Sequence, residues 1–239
     1  MNTSLPKQTA GPVLRFWKKA MQPVFLAMFP KAYKQRSEFS YWSGRFEAEH
    51  GTLSNTHYEP LFTTVYGLTR EDYRGKRVID IGCGPRGSLE WATMAAERVG
   101  LDPLAGKYLR LGASGHSMRY VQAPSEHIPF ANGKFDIVTC LNALDHVDDF
   151  PQTVAEIKRI TASGGIFLVS VEINHPPSST EPITISEQDM TLFSPEFTTL
   201  TSFKVGTPLD HDLHRAVVSR QPPHLAGMPG VYVAMMRRV

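Results

Sequence analysis

The sequence predicts an α/β protein built on a doubly wound, mostly parallel sheet. Three observations carry that expectation. Short apolar runs of strand length recur at 77–81, 98–101, 119–123, 135–140 and 166–171. Segments of helical pattern or turn composition separate them, as the crossovers between parallel strands require. Glycines and polar residues follow the carboxyl ends of the runs, the rim at which open α/β sheets hold their ligands.

The N-terminal stretch stands apart. Residues 1–36 hold seven Lys and Arg and no acidic residue, so this +7 segment leaves the rest at −5 within a net charge of +2. Val13, Phe16, Trp17, Ala20, Met21 and Val24 recur at helical spacing, with Pro12 suited to a first turn. Residues 1–40 therefore read as a basic amphipathic extension. It is either a helix laid on its own domain or a stretch, residues 12–36, touching a membrane surface or an acidic partner. Its apolar run Val24–Phe29 is too short for a spanning helix or a signal-peptide core. Two cysteines, Cys83 and Cys140, exclude a disulfide framework and point to a reducing, cytoplasmic setting. The near-neutral total gives no general grip on nucleic acid, and nothing in the sequence sets an oligomeric state.

Residues 41–239 read as the globular domain. Thr56 to Glu59 matches a capping box and opens a helix expected to reach Leu68. The strand Arg77–Ile81 precedes a helix expected over Ser88–Glu97, then the strand Arg98–Leu101 and a helix near Leu104–Leu111. Strands follow at Arg119–Ala123 and Phe135–Cys140. Asp148, Asp149 and Pro151 open a helix carrying Phe150, Val154, Ile157 and Ile160, expected to close at Ser163-Gly164-Gly165. The strand Ile166–Val171 ends the alternation and, with it, the core 75–172. Two further strands, Phe197–Val205 and Val231–Met236, lie beyond a Pro-, Ser- and Thr-rich segment, 174–190, and flank a His- and Pro-containing insert, 207–229.

The loop after the first strand, Asp80-Ile81-Gly82-Cys83-Gly84-Pro85-Arg86-Gly87, also matches the glycine pattern of dinucleotide-binding sites, with Asp102 about 20 residues on. Asp80 separates the readings. A strand-end carboxylate sits badly beside a pyrophosphate and well beside an ammonium or sulfonium. A nicotinamide-dependent oxidoreductase is therefore the alternative, as is a catalytically silent binding module tethered by its basic arm.

Val78 to Gly84, Ile128-Pro129-Phe130 followed by Phe135-Asp136, and Glu156 to Ile160 before Gly164-Gly165 resemble class I S-adenosylmethionine-dependent methyltransferases. The resemblance covers residues 75–172 well and implies a Rossmann-like fold of seven strands with S-adenosyl-L-methionine as cofactor. It implies that Gly82, Cys83 and Gly84 pass under the methionine and ribose portion, with Asp80 near the amino group. Asp102, followed by Pro103, would hold the ribose hydroxyls. Ser125 and Glu126 would face the adenine through a backbone N–H, since Pro124 stands where the family often has an Asp. Leu141 and Asn142 would line the methionine side. Tyr41 to Arg45 resembles a lid, with an aromatic face over the sulfonium and Arg45 on the cofactor carboxylate.

The expected activity is in-line methyl transfer to the oxygen or nitrogen of a small molecule. His146 and His175, after the fourth and fifth strands, are the candidate bases, because imidazole moves protons near neutral pH. The segments 174–190 and 207–229 would shape the acceptor pocket. Asp210-His211-Asp212-Leu213-His214 reads as a solvated loop rather than a metal site, for want of further ligands at a recognisable spacing. Cys83 has no partner pattern for a nucleophile.

Overall fold

The computed structural model describes residues 30–239. Helix α1 (Pro30–Ala48) and the short α2 (Tyr58–Phe62) precede strand β1 (Arg77–Ile81). Then come β2 (Glu97–Leu101), α3 (Ala105–Tyr108), β3 (Arg119–Val121), β4 (Phe135–Leu141), α4 (Phe150–Ile160) and β5 (Thr161–Ile173). Strand β6 (Phe197–Gly206), α5 (Leu213–Ser219) and β7 (Gly230–Arg238) complete the chain. The strands form one seven-stranded sheet ordered β3-β2-β1-β4-β5-β7-β6. The first five strands pair in parallel, and β7 runs antiparallel to both β5 and β6. Strand order reverses between β1 and β4, so a crevice opens beyond their carboxyl ends.

Alternation along the strands builds two core layers. Ile79, Ile81, Val138, Cys140, Phe167 and Val169 join Val154, Ile157 and Ile160 of α4 on one face. Val78, Ile137, Leu168 and Val233 join Leu61, Phe62, Tyr73 and the α5 residues Leu213, Ala216 and Val217 on the other. A smaller cluster docks α1. Phe39, Trp42 and Phe46 pack against Leu53, Leu104, Tyr108 and Leu111.

Several local expectations are corrected. Residues 88–96 form a chain of turns rather than a helix. The Arg98 guanidinium donates to the carbonyls of Leu89 and Glu90, while the Glu90 carboxylate accepts from the N–H groups of Ser117 and Met118. The helix expected from Thr56 to Leu68 is α2 plus a separate 3₁₀ turn at Thr64–Tyr66, closed by Gly67 at φ +74°. Thr56 caps nothing there, because Glu59 is turned away to a bidentate pair with Arg70. Capping boxes form instead at Thr69/Asp72 and Ser186/Asp189. Helix α4 starts as expected, with Asp149 accepting from the Gln152 N–H, but stops at Ile160. Gly164 (φ +73°) and Gly165 then shape an irregularity inside β5, where the register against β4 shifts.

The boundary expected at residue 40 falls inside the continuous helix α1. Most of residues 12–36 lies outside the described residues, so the surface-contact reading of the arm applies chiefly there. Within the described part, Lys31 and Lys34 both pair with Asp148 of the domain. Among the described residues no helix is long and apolar enough to cross a membrane.

Gly100 on β2 is packed on both sides: an added Cβ would lie 2.5 Å from Met118 Cε and 2.6 Å from Cys83 Sγ. Gly100→Ala is expected to lower the stability by about 1–3 kcal/mol through overpacking, read as a lower urea midpoint with unchanged m.

Candidate active site

A cavity of about 840 Å³ opens at the switch point, within the size range of small-molecule sites. The ends of β1, β2 and β4 form its floor. Helix α1 forms one wall, and Thr180, Glu181 and residues 210–214 contribute from the later segments.

Asp80 is buried at the end of β1, opposite Gly100 and Thr139 on its neighbours. The Thr139 hydroxyl donates to Oδ1 at 2.7 Å and the Ser88 hydroxyl donates to Oδ2. Burial pushes its pKa up to about 6, against the opposing effect of those two hydroxyls. Asp102, beyond β2, is also buried. Its carboxylate accepts from the N–H of Leu104 at 2.8 Å and of Gly84 at 3.2 Å. Burial raises it to about 7, with the two N–H donors working the other way and Glu38 adding to the rise.

The glycine loop requires its glycines. Gly82 has φ +73°, and a Cβ there would stand 2.4 Å from Ala143 Cβ. Gly84 has φ +58°, and its Cβ would approach Trp42 to 3.2 Å. Cys83 is buried within the loop, and burial pushes its thiol well above the usual range, which suits packing rather than attack. Pro103 and Leu141 line the cavity beside them. Asn142, at φ +54°, lines it too, and its buried Oδ1 has no hydrogen-bond partner among the described residues.

Ser125 and Glu126 sit at the rim, but their side chains face away into the protein. Ser125 Oγ meets Thr153 Oγ1 at 2.9 Å, and Glu126 Oε1 accepts from the N–H groups of Asp148 and Asp149. Both side chains are thus engaged within the protein, which leaves their backbone groups at the rim.

The lid differs in its details. Trp42, not Tyr41, closes over Gly84, while Tyr41 is 60% exposed. Arg45 lines the cavity but pairs with Glu49 at 2.8 Å. The organising cation is one that sequence reasoning missed. Arg86 is buried, with its guanidinium on Glu49 and on the Ser54 carbonyl and its Cζ 5.5 Å from the Trp42 ring centre. That pairing holds Glu49 down at about 2. Arg86 lies inside the quoted glycine loop, so the signal was present, but its partner lies 37 residues upstream.

The two candidate histidines are placed differently. His146 lines the cavity between two carboxylates, with Nδ1 3.6 Å from Glu38 Oε2 and Nε2 3.7 Å from Glu181 Oε1. Burial alone lowers its pKa, but Glu38, Asp145 and Glu181 together raise it above the ordinary value. His175 does not line the cavity. It is buried with Nε2 3.4 Å from Asp145 Oδ2 and Nδ1 3.0 Å from the Pro176 carbonyl, and the Asp145 carboxylate raises it to about 9. Nor is the segment 210–214 simply solvated. Asp212 caps α5 through the Arg215 N–H, and this turns His214 toward the cavity beside His57 and Tyr58. Burial lowers His214 to about 4.

Residues 79–169 match the family model described as a methyltransferase domain. They carry the glycine loop, both strand-end carboxylates and the reversal of strand order. This segment is a methyltransferase domain of the class I S-adenosylmethionine-dependent type. Ubiquinone biosynthesis O-methyltransferases from Pectobacterium atrosepticum and Aromatoleum aromaticum are 34% and 38% identical to the chain over 125 and 109 residues. Those matches cover 48% and 42% of this chain and 51% and 46% of the relatives, so the chain spans about half the length of the curated relatives it matches. An S-adenosylmethionine-dependent methyltransferase from Mesorhizobium loti shares the fold at TM-score 0.53 and 21% identity, over 70% of this chain and 92% of that one.

S-adenosylmethionine is the family's methyl donor, and this methyltransferase domain fits it. The close backbone approach at Gly82 and Gly84, the buried acceptor on Asn142 and the two strand-end carboxylates match its cationic and hydroxyl groups.

Arg86→Ala is expected to cost about 1–3 kcal/mol, because it removes the buried donor of the Ser54 carbonyl and leaves Glu49 with Arg45 and the Ser54 N–H alone. Arg45→Ala, at a half-exposed pair, is expected to cost under about 1 kcal/mol. Urea unfolding of the two variants side by side checks the ranking.

Proposed function

We propose that this domain transfers the methyl group of S-adenosylmethionine to an oxygen or nitrogen of a small molecule held at the His146 end of the cavity. The observation that carries the reading is the pair of buried carboxylates, Asp80 and Asp102, ending adjacent strands around a glycine loop. When bound, S-adenosylmethionine supplies a sulfonium methyl carbon open to in-line displacement.

The chain's own residues do the rest. Asp80 favours a cationic ligand. Asp102, already fixed by two backbone donors, offers its carboxylate to ribose hydroxyls. Trp42 on α1 covers the loop and excludes water, which strengthens each polar contact beneath it. The acceptor end is acidic, walled by Glu38, Glu172 and Glu181 around His146. There we place His146 as the group that takes the acceptor's proton, with 174–190 and 207–229 shaping the pocket. Alignment of acceptor and donor is the larger part of the catalysis, since positioning supplies about 7–11 kcal/mol in favourable cases. The curated relatives named above are O-methyltransferases, which supports oxygen as the acceptor atom.

Calorimetric titration with S-adenosylhomocysteine tests the site. Binding is expected for the wild type and is expected to be lost in Gly82→Arg and Asp80→Ala; unchanged binding in both variants would reject the assignment. Affinity for S-adenosylmethionine is expected to depend on pH. Asp80 and Asp102 lie at about 6 and about 7 without ligand, so both are largely protonated at pH 5. Ionised Asp80 meets the cationic end better and ionised Asp102 accepts from the ribose hydroxyls better, so affinity rises as pH increases through 6–7, with protons released on binding. The contribution of these raised pKa values to ligand-free stability runs the opposite way. It is full below the ordinary carboxyl value of 3.8 and is lost as pH rises through the folded values. Asp80→Asn should flatten the lower part of the binding profile.

Screening candidate acceptors for S-adenosylhomocysteine release tests the acceptor end. With an accepted substrate, His146→Ala is expected to keep cofactor affinity and slow turnover by about 10²-fold or more. Equal turnover removes His146 from the reaction.

A further inference from the structure

We propose that Asp145, His146 and Glu181 form a site for one divalent cation at the acceptor end of the cavity, with open positions for the oxygen of a hydroxyl-bearing acceptor. The role as an acceptor anchor rests on the methyltransferase reading above; the cation site itself rests on the side chains. One ligand atom from each of the three residues lies within 4.8 Å of the other two. Two ligands held about 2.0–2.4 Å from a common ion stand at most about 4–4.8 Å apart. Small side-chain rotations therefore bring all three onto a single ion.

A second, independent observation points to a missing partner. Asp145 is fully buried, yet neither of its carboxylate oxygens accepts a hydrogen bond from any described residue. The His175 imidazolium stands 3.4 Å from Oδ2 and offsets part of the cost of burying the charge, but no described residue answers Oδ1. A buried carboxylate oxygen in that condition is costly unless a further cation or donor completes it. Lys34, which lines the same cavity, is already committed to the His146 carbonyl and to Asp148.

The surroundings match those of a metal-binding imidazole. His146 turns Nε2 toward Glu181, while Glu38 stands behind Nδ1 at 3.6 Å. A carboxylate behind a ligating histidine fixes the ring's tautomer and orientation. His175 Nε2 stands 3.4 Å from Asp145 Oδ2 and can orient that carboxylate. Two carboxylates and one imidazole suit an oxygen-preferring ion of the Mg²⁺ or Mn²⁺ type, with water or substrate oxygens filling the remaining positions. With an ion bound, His146 would be a ligand rather than the proton acceptor; the ion would polarise the acceptor hydroxyl, whose proton would pass to Glu172, a carboxylate lining the same cavity that is not one of the ligands.

The test uses the full chain stripped with chelator. It is titrated with Mn²⁺ by calorimetry and by the electron paramagnetic resonance signal of the free ion, with S-adenosylhomocysteine titrated in parallel. One Mn²⁺ per chain is expected, weakened at least about tenfold in Glu181→Gln and Asp145→Asn, while S-adenosylhomocysteine binding is retained. Glu181 lies on an accessible turn, so its variant decides the matter if Asp145→Asn fails to fold. Absence of Mn²⁺ binding, or equal binding in the wild type and the variants, overturns the site. Loss of S-adenosylhomocysteine binding by the wild type overturns the methyltransferase reading instead, so the two failures are distinguishable.

Discussion

Two carboxylates kept out of water at the ends of neighbouring strands govern how this molecule is put together. Asp80 is held by two hydroxyls and Asp102 by two backbone N–H groups. Neither has a cation among those partners. The fold thus places two groups that burial drives toward neutrality where a positively charged or hydroxyl-rich molecule can complete them. Around them the surroundings are fixed by sterics. Ala143 presses on Gly82, Trp42 on Gly84, and Met118 and Cys83 on Gly100, so the backbone has little freedom to withdraw.

The opposite end of the cavity has a different electrostatic character. There the partners are imidazoles and carboxylates brought together from distant parts of the chain. Glu38 comes from the first helix, Asp145 and His146 from the turn after β4, and Glu181 from the segment beyond β5. The end proposed for the cofactor is built mainly by local loops with glycine chemistry. The end that would choose the substrate is built by long-range assembly. That division lets one scaffold keep a common donor while its acceptor varies.

The same division explains what could be read from sequence. The five parallel strands were legible because Val78 to Ile81 or Ile137 to Cys140 must be apolar when both sheet faces are covered. Asp80, Gly82, Gly84 and Asp102 were legible because turn geometry and strand ends confine them. The helix expected at 88–97 was not, since its good local propensity gives way to Arg98 and Glu90 bonding across the crossover. The lid segment was legible as Tyr41 to Arg45, but not which aromatic closes the loop. Tyr41 and Trp42 both line the cavity, and the packing of α1 on Tyr108 and Leu111 sets Trp42 over Gly84. The pairing of Arg86 with Glu49 and of Glu181 with His146 has no local signature at all.

Glu38 and Trp42 are one turn apart on α1: one stands against His146, the other over Gly84. The helix is continuous through both positions. One element thus walls the glycine loop and the His146 end together, so a substitution that shifts its seat on Tyr108 and Leu111 is felt at both.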